Sequence, residues 1–432
     1  MSEKPALRRE LSLLDLIVYG LLFIGPLAPV GIFGVLDQRS GGAVAQVYLV
    51  ATLAMALTAV SYAVMSRVVP EAGSVFSYAK AGLGSTAGFF GGWLVLLDYL
   101  LIPSVAYLFT GIATNALFPE IPIWVVTGFA VLVTTAINLT GVRPAAIVGL
   151  VVLVFEVVLL LVFVVAAVVV LVQHGPERPW FSPMEGDLSP VLSAVSVAVL
   201  SFLGFDAIAS FAEESTGPSK QIGRAMLFCL ALAGVLFFAQ TYLAALLTPP
   251  HPTGPAGRAF YDMLRSSIGP WLAITFTMVK AIGPAFSAMV AQAAVGRLLY
   301  GMARGGSLPT VLGSVHGRSG VPRIAIGLST VVTLVVAVWA STRDDGLDIL
   351  VSIVDVGALG AFILLHASVV GYFVIQRGSK NTWTHLIVPL LGTSVMAAIL
   401  ASATPLALEI GAVWLVVGLL VTWRTHAGHK SP

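Results

Sequence analysis

Residues 25–31 read GPLAPVG, two glycines and two prolines set inside an apolar stretch that runs from Leu11 to Leu36. Proline has no backbone N–H and its ring clashes with the turn before it, so a helix that enters this stretch breaks there. Residues 201–206, SFLGFD, place a glycine and a carboxylate in the middle of a second apolar run. Paired breaks of this kind, in matching positions of inverted repeats, are where secondary transporters hold their cargo near the bilayer midplane. A simple proline kink is the alternative explanation of the first break.

The rest of the chain supports a membrane setting for both breaks. Of 432 residues, 58% are hydrophobic and 10% charged, against about a quarter charged in a soluble protein, which excludes an ordinary soluble enzyme. A span needs roughly 20 apolar residues, and polar punctuation divides the chain into spans near 12–35, 43–66, 87–114, 122–140, 145–172, 190–212, 225–247, 269–303, 321–340, 348–375, 386–403 and 405–424. The separators are rich in Gly, Pro and charge, as in Thr248 to Pro255. The breaks fall in spans 1 and 6, the spacing expected if residues 12–172 and 190–375 are repeats of five helices, with 386–424 adding two more. The apolar N-terminal stretch is too long for a signal peptide and reads as a retained first span.

Charge sets the expected orientation. Twelve spans put both termini on one side, and 16 of the 22 Lys and Arg fall on that side, five on the other, with Lys280 inside a span. By the positive-inside rule both termini are cytoplasmic, in a bacterial inner membrane. The net charge of +2 suggests no nucleic-acid partner. Walker A, HExxH and GxSxG motifs and metal-type Cys/His spacings are absent from the sequence, so no cofactor, metal or catalytic residue is expected. The sequon at Asn138 falls on the cytoplasmic side and is discounted, and Gly84, Gly88 and Gly92 read as a packing face.

Ionisable groups inside spans are costly and are functional candidates by default. They are Asp98, Glu156, Asp206, Lys280, Asp355 and His366. Four carboxylates against one lysine favour a cationic cargo or a proton. Each acid has a plainer reading as a partner for Lys280 or for a donor at a helix break, and His366 reads as a packing histidine. Tyr99 and Phe202, beside the acid and the break, offer faces for an ammonium group.

Residues 201–214, SFLGFDAIASFAEE, and 297–309, RLLYGMARGGSLP, resemble signatures of the amino acid, polyamine and organocation transporter superfamily. The resemblance covers nearly the whole chain. Residues 13–33, LLDLIVYGLLFIGPLAPVGIF, and 96–103, LLDYLLIP, look most like the bacterial putrescine importer group, and the GFD followed by EE is also similar to cationic amino acid transporters. The resemblance implies an all-α polytopic membrane protein with a LeuT-like five-plus-five inverted repeat, discontinuous helices 1 and 6, and two further C-terminal helices.

It also implies a substrate carboxylate bound on amides of a Gly-Ser/Ala-Gly turn in span 1 and an ammonium bound on carbonyls at the two breaks. That turn is Pro29-Val30-Gly31 here, which weakens the carboxylate subsite and leaves the amides of Val30, Gly31 and Ile32. The span 5 lysine of proton-coupled relatives corresponds to Glu156, a buried acid that can itself carry a proton. The aromatic gate of arginine/agmatine exchangers falls on Leu200, leaving Phe202 to serve. The usual Ala-Arg-Asp-Gly is Ala303-Arg304-Gly305-Gly306, so a gating acid is missing.

Together these readings predict a secondary transporter that imports putrescine or a related polyamine by proton coupling or exchange. Carbonyls near Gly25 to Ala28 and Ser201 to Gly204 would hold one ammonium, Asp206 and Asp98 the distal one, and Glu156 the coupling proton. An amino acid permease using the amides at Val30 to Ile32 is the alternative, and a sensor or scaffold on a transporter fold is the rival from another class. The partners expected are a small amine or amino acid, protons and the lipid bilayer; the oligomeric state is left open.

Overall fold

The computed structural model describes residues 7–250, 254–316, 320–343, 345–401 and 405–428. Lys4, Arg318 and Lys430 of the basic count lie outside these residues, as do 251–253 of the separator and 402–403 of the eleventh predicted span.

Ser12 starts the first helix, Leu13–Ile24, by a reciprocal cap: its Oγ accepts from the Asp15 amide at 3.3 Å while Asp15 accepts from the Ser12 amide at 2.8 Å. The helix stops at Gly25, whose φ of +74° only glycine adopts readily. A short 3-10 turn, Ala28–Gly31, follows, and the chain becomes α-helical again at Phe33–Arg39. Backbone groups freed by the break are taken up by neighbouring helices, as a membrane interior demands. Gln240 Nε2 donates to the Pro26 carbonyl at 3.0 Å, and Ser287 Oγ donates to the Phe23 carbonyl at 2.6 Å.

Span 6 breaks in the matching place. The helix Leu188–Ala198 tightens to a 3-10 turn, Val199–Phe202, extends at Leu203, reverses at Gly204 with φ +114°, and resumes as the 3-10 helix Phe205–Glu214. A Cβ at Gly204 would collide with the Phe23 ring, whereas one at Gly25 would meet nothing within 4 Å. Gly204→Ala is therefore expected to lower the melting temperature of the detergent-purified protein more than Gly25→Ala does. Both carry backbone strain of about 1–3 kcal/mol, and only Gly204→Ala adds the clash. Equal losses would mean that Phe23 moves aside freely.

Among the described residues, twelve helices are long and apolar enough to cross a membrane: Leu13–Gly31, Val44–Val68, Ser85–Leu117, Ile123–Thr140, Val142–His174, Leu188–Glu214, Lys220–Leu246, Pro270–Arg304, Arg323–Ser341, Ile349–Ile375, Trp383–Ala401 and Pro405–Thr422. They match the predicted spans to within a few residues at most ends. Two stretches expected as loops carry helix: Val75–Leu83 lies before span 3, and Ala259–Met263 with a π turn Leu264–Ile268 lies before span 8. Span 3, at 33 residues, is about 50 Å long and exceeds the ~30 Å hydrocarbon layer.

Packing follows the repeat. Spans 1, 2, 3 and 4 each lie against the span five later, and spans 3 and 8 share the most extensive of these contacts. Gly88, Gly91 and Gly92 bring span 3 onto Val75–Leu83, since a Cβ at any of them would meet Lys80, Val75 or Phe76. Gly20 does the same for span 1 on span 7, where Cys229 Sγ lies 3.5 Å from the Ile17 carbonyl. His366 is fully buried and bonded to Thr58 Oγ1 at 3.2 Å and Ser61 Oγ at 2.9 Å, as a packing histidine should be. The buried Asn138 side chain donates to the Met289 carbonyl at 2.7 Å.

Each face is braced by arginine. On the face that carries residues 8–12, Arg297 is buried, holding both Glu214 oxygens at 2.5 and 3.1 Å and stacking 4.7 Å over Phe211. Arg304 pairs beside it with Glu213. The Leu11 amide donates to the Glu214 carbonyl at 2.9 Å, and the Thr216 amide to the Leu11 carbonyl at 2.9 Å. On the opposite face Arg178 grips Asp37 at 2.7 and 2.8 Å and also donates to the Thr248 and Pro249 carbonyls.

Candidate functional site

The two breaks meet at a cavity of about 120 Å³, several times the space one water needs. Phe23, Ile24, Gly25, Leu27, Ala28, Gly31 and Ile32 of span 1 form one wall, and Leu200, Ser201 and Leu203 of span 6 form another. Span 3 contributes Ile102, Val105, Ala106 and Phe109; span 5 contributes Glu156; span 8 contributes Lys280, Gly283, Pro284 and Ser287. The surface is mostly apolar, so its few polar groups act with little screening.

Glu156 is 4% exposed, and its Oε2 has no hydrogen-bond partner among the described residues. Gly283 makes room for it, because a Cβ there would collide with the carboxyl oxygen. One helical turn from Gly283 on span 8, Lys280 Nζ donates to the Leu27 carbonyl at 3.4 Å and stands 5.6 Å over the Phe109 ring. Pro284, four residues further on, supplies no N–H to close on the Lys280 carbonyl. Glu156 and Lys280 feel each other's charge. The arrangement therefore offers a small solute one carboxyl and one amine in a single small cavity.

Gly25, Ala28, Gly31, Ile32, Ser201 and Glu156 of the predicted site residues line this cavity. Ser201 Oγ is within 3.0 Å of Tyr48 OH. Val30, Asp98, Tyr99, Phe202, Gly204 and Asp206 are outside the lining. Phe23 stands between the two sets, its ring against Gly204 and 6.2 Å from Tyr99. Asp206 accepts from the Gly204 amide at 3.1 Å, Tyr99 OH at 2.6 Å and Tyr62 OH at 3.3 Å, which fastens the span 6 break to spans 2 and 3. Asp98 is buried with Oδ1 unpartnered among the described residues, near enough to Asp206 and Asp355 to feel their charge. Phe202 packs on Tyr48 and Phe237 at 6.2 and 5.0 Å.

Two of the three amides expected to take a carboxylate are engaged within the turn. Val30 N donates to the Leu27 carbonyl at 3.2 Å and Ile32 N to the Pro29 carbonyl at 3.1 Å. Lys280 is the cationic group that faces the cavity. Sequence reasoning singled it out as a buried charge but did not place it in the site. Phe23, Phe109 and Ser287 were not singled out, and nothing in their local sequence separates them from packing residues. The Gly283-Pro284 pair in the middle of span 8 was the available signal on that helix. Among the described residues no group of three or more His, Cys, Asp or Glu is placed to hold a metal ion.

The cavity adjoins a vestibule of about 540 Å³ that also touches Gly31, Phe109 and Lys280, so these three form a neck. The vestibule lies toward the face of Arg178, between the end of span 3, the start of span 8 and residues 257–265. Burial pushes the phenol of Tyr261, in its wall, up to about 12. Toward the other face, outside the lining of both cavity and vestibule, lie the buried Glu214–Arg297 pair and Tyr19 stacked 4.9 Å from Phe211.

A family model described as amino acid permease matches residues 14–427. The low-affinity putrescine importer PlaP of Escherichia coli K12 is 29% identical over 456 aligned residues, covering 100% of this chain and 96% of that protein. The branched-chain amino acid permease BcaP of Bacillus subtilis is 24% identical over 461, with 100% and 96% covered. The mouse cationic amino acid transporter 4 is 27% identical over 398, with 85% of this chain and 60% of that protein covered.

Proposed function

The chain belongs to the amino acid permease family and is a multi-pass membrane transporter, not an enzyme; from that premise we propose that it imports a small solute bearing an ammonium group through the cavity between the two breaks. The observation that carries this reading is Glu156, a buried carboxyl with an oxygen free of partners, facing a small apolar cavity. A desolvated carboxylate holds an ammonium or takes up a proton, and the same group serves both in turn when cargo and proton are coupled. Glu156 is accordingly proposed as the coupling acid. The bacterial inner membrane with cytoplasmic termini is proposed from the 16-to-5 distribution of Lys and Arg.

Putrescine or a related polyamine is the first reading of the cargo. It is supported by the likeness to PlaP over the full length and by Pro29 and the engaged amides, which leave little for a carboxylate in span 1. Lys280 favours the second reading, an amino acid, because a fixed ammonium beside Glu156 complements a zwitterion. On either reading Asp206 and Tyr99 act by holding the span 6 break in place behind Phe23.

Thermal melting of the purified chain against putrescine, spermidine, leucine and arginine tests this, because a ligand bound only to the native state raises Tm. Stabilisation by the diamines alone supports the first reading, and stabilisation by leucine supports the second. Proteoliposomes that bind such a ligand and never accumulate or exchange it would refute transport.

A further inference from the structure

Among the described lining residues, the vestibule walls carry Arg258, Arg265 and, at the neck, Lys280, against one carboxylate, that of Asp262. Both guanidinium groups are exposed, and neither makes a hydrogen bond or ion pair among the described residues. The surrounding wall is apolar: Phe109, Ile112, Ala116, Leu117 and Ile274. Arg258 and Arg265 against Asp262 leave an excess of positive charge among the described lining residues, and set in low-dielectric walls it concentrates anions and repels cations. An arginine fork matches a carboxylate through two parallel hydrogen bonds. At about 540 Å³ against about 120 Å³ for the cavity, the vestibule has room for a solute to wait before it passes Lys280.

We infer that this vestibule is an outer docking subsite for the carboxylate of a small solute, with Arg258 and Arg265 as the groups that hold it. The inference rests on the second reading above, an amino acid cargo, entering from this side, and it selects carboxylate-bearing amines over diamines before the central cavity is reached. Lys280 is then the next cation inward, so the carboxylate moves along a short positive track while the ammonium end reaches Glu156.

Binding of a matched series tests it: 4-aminobutyrate, n-butylamine, butyrate and putrescine share a four-carbon chain and differ only in end groups. Equilibrium binding is measured on the full chain in phosphatidylcholine nanodiscs, which carry no net headgroup charge. Ionic strengths of about 10 and 150 mM give Debye lengths of about 30 and 8 Å. At low salt 4-aminobutyrate is expected to bind roughly tenfold more tightly than n-butylamine, and putrescine more weakly still. The preference shrinks at high salt, disappears in the Arg258→Gln/Arg265→Gln variant and returns in Arg258→Lys/Arg265→Lys. Equal binding of 4-aminobutyrate and n-butylamine, a preference that survives the glutamine pair, or no binding of any of the four overturns the inference. If the preference behaves as expected but parallel liposomes show no uptake, the docking subsite stands and the transport reading falls.

Discussion

Glu156→Gln is expected to end proton-driven accumulation of cargo in proteoliposomes. Glutamine copies the neutral acid in shape but cannot give up a proton, so uptake by the variant should no longer respond to an imposed pH gradient. The glutamine carbonyl still accepts a hydrogen bond but without the charge that makes such bonds roughly twice as strong, so binding of an ammonium cargo should also weaken. The two effects separate by measuring uptake with and without the gradient and binding at equilibrium. Gradient-driven uptake that persists in Glu156→Gln would reduce Glu156 to a packing partner of Gly283.

The second large effect is expected at the face braced by Arg297. Glu214→Ala removes both oxygens that hold the buried Arg297 and leaves its charge without a carboxylate. Breaking a buried pair in this way costs about 3–5 kcal/mol, more than a hundredfold in an equilibrium between closed and open arrangements. Hydrogen exchange at the Leu11 and Thr216 amides, which close the same face, should accelerate by a comparable factor. Replacing the pair by apolar residues, as in Glu214→Leu/Arg297→Met, should recover most of the lost melting temperature, because no stranded charge remains. Unchanged amide exchange in Glu214→Ala would show that the pair does not keep this face shut.

The breaks were legible because their causes are local. Proline at 26 and 29 and glycine at 25 act on their own turn, and Asp206 reaches the Gly204 amide two residues away. The spans were legible because apolar length has no other reading in a chain this poor in charge. What escaped the sequence depends on partners far along the chain. Arg297 looked like one of several basic residues at a cytoplasmic end, and only its meeting with Glu214, 83 residues earlier, turns it into a buried brace. Lys280 was conspicuous as a charge in a span, yet its direction is set by the Leu27 carbonyl, 253 residues away. Asp206 was assigned to the cargo on its charge and its place at the break, and the hydroxyls of Tyr62 and Tyr99 that it accepts from come from two other helices.

Cys229 is the only cysteine in the chain, and it is buried where Gly20 lets the helix Leu13–Ile24 lie flat on span 7. Its thiol is therefore covered by that half-helix. The protein thus carries a built-in reporter: any lifting of the half-helix from span 7 would be read as faster alkylation of Cys229, with no label introduced and no other thiol to confuse the signal.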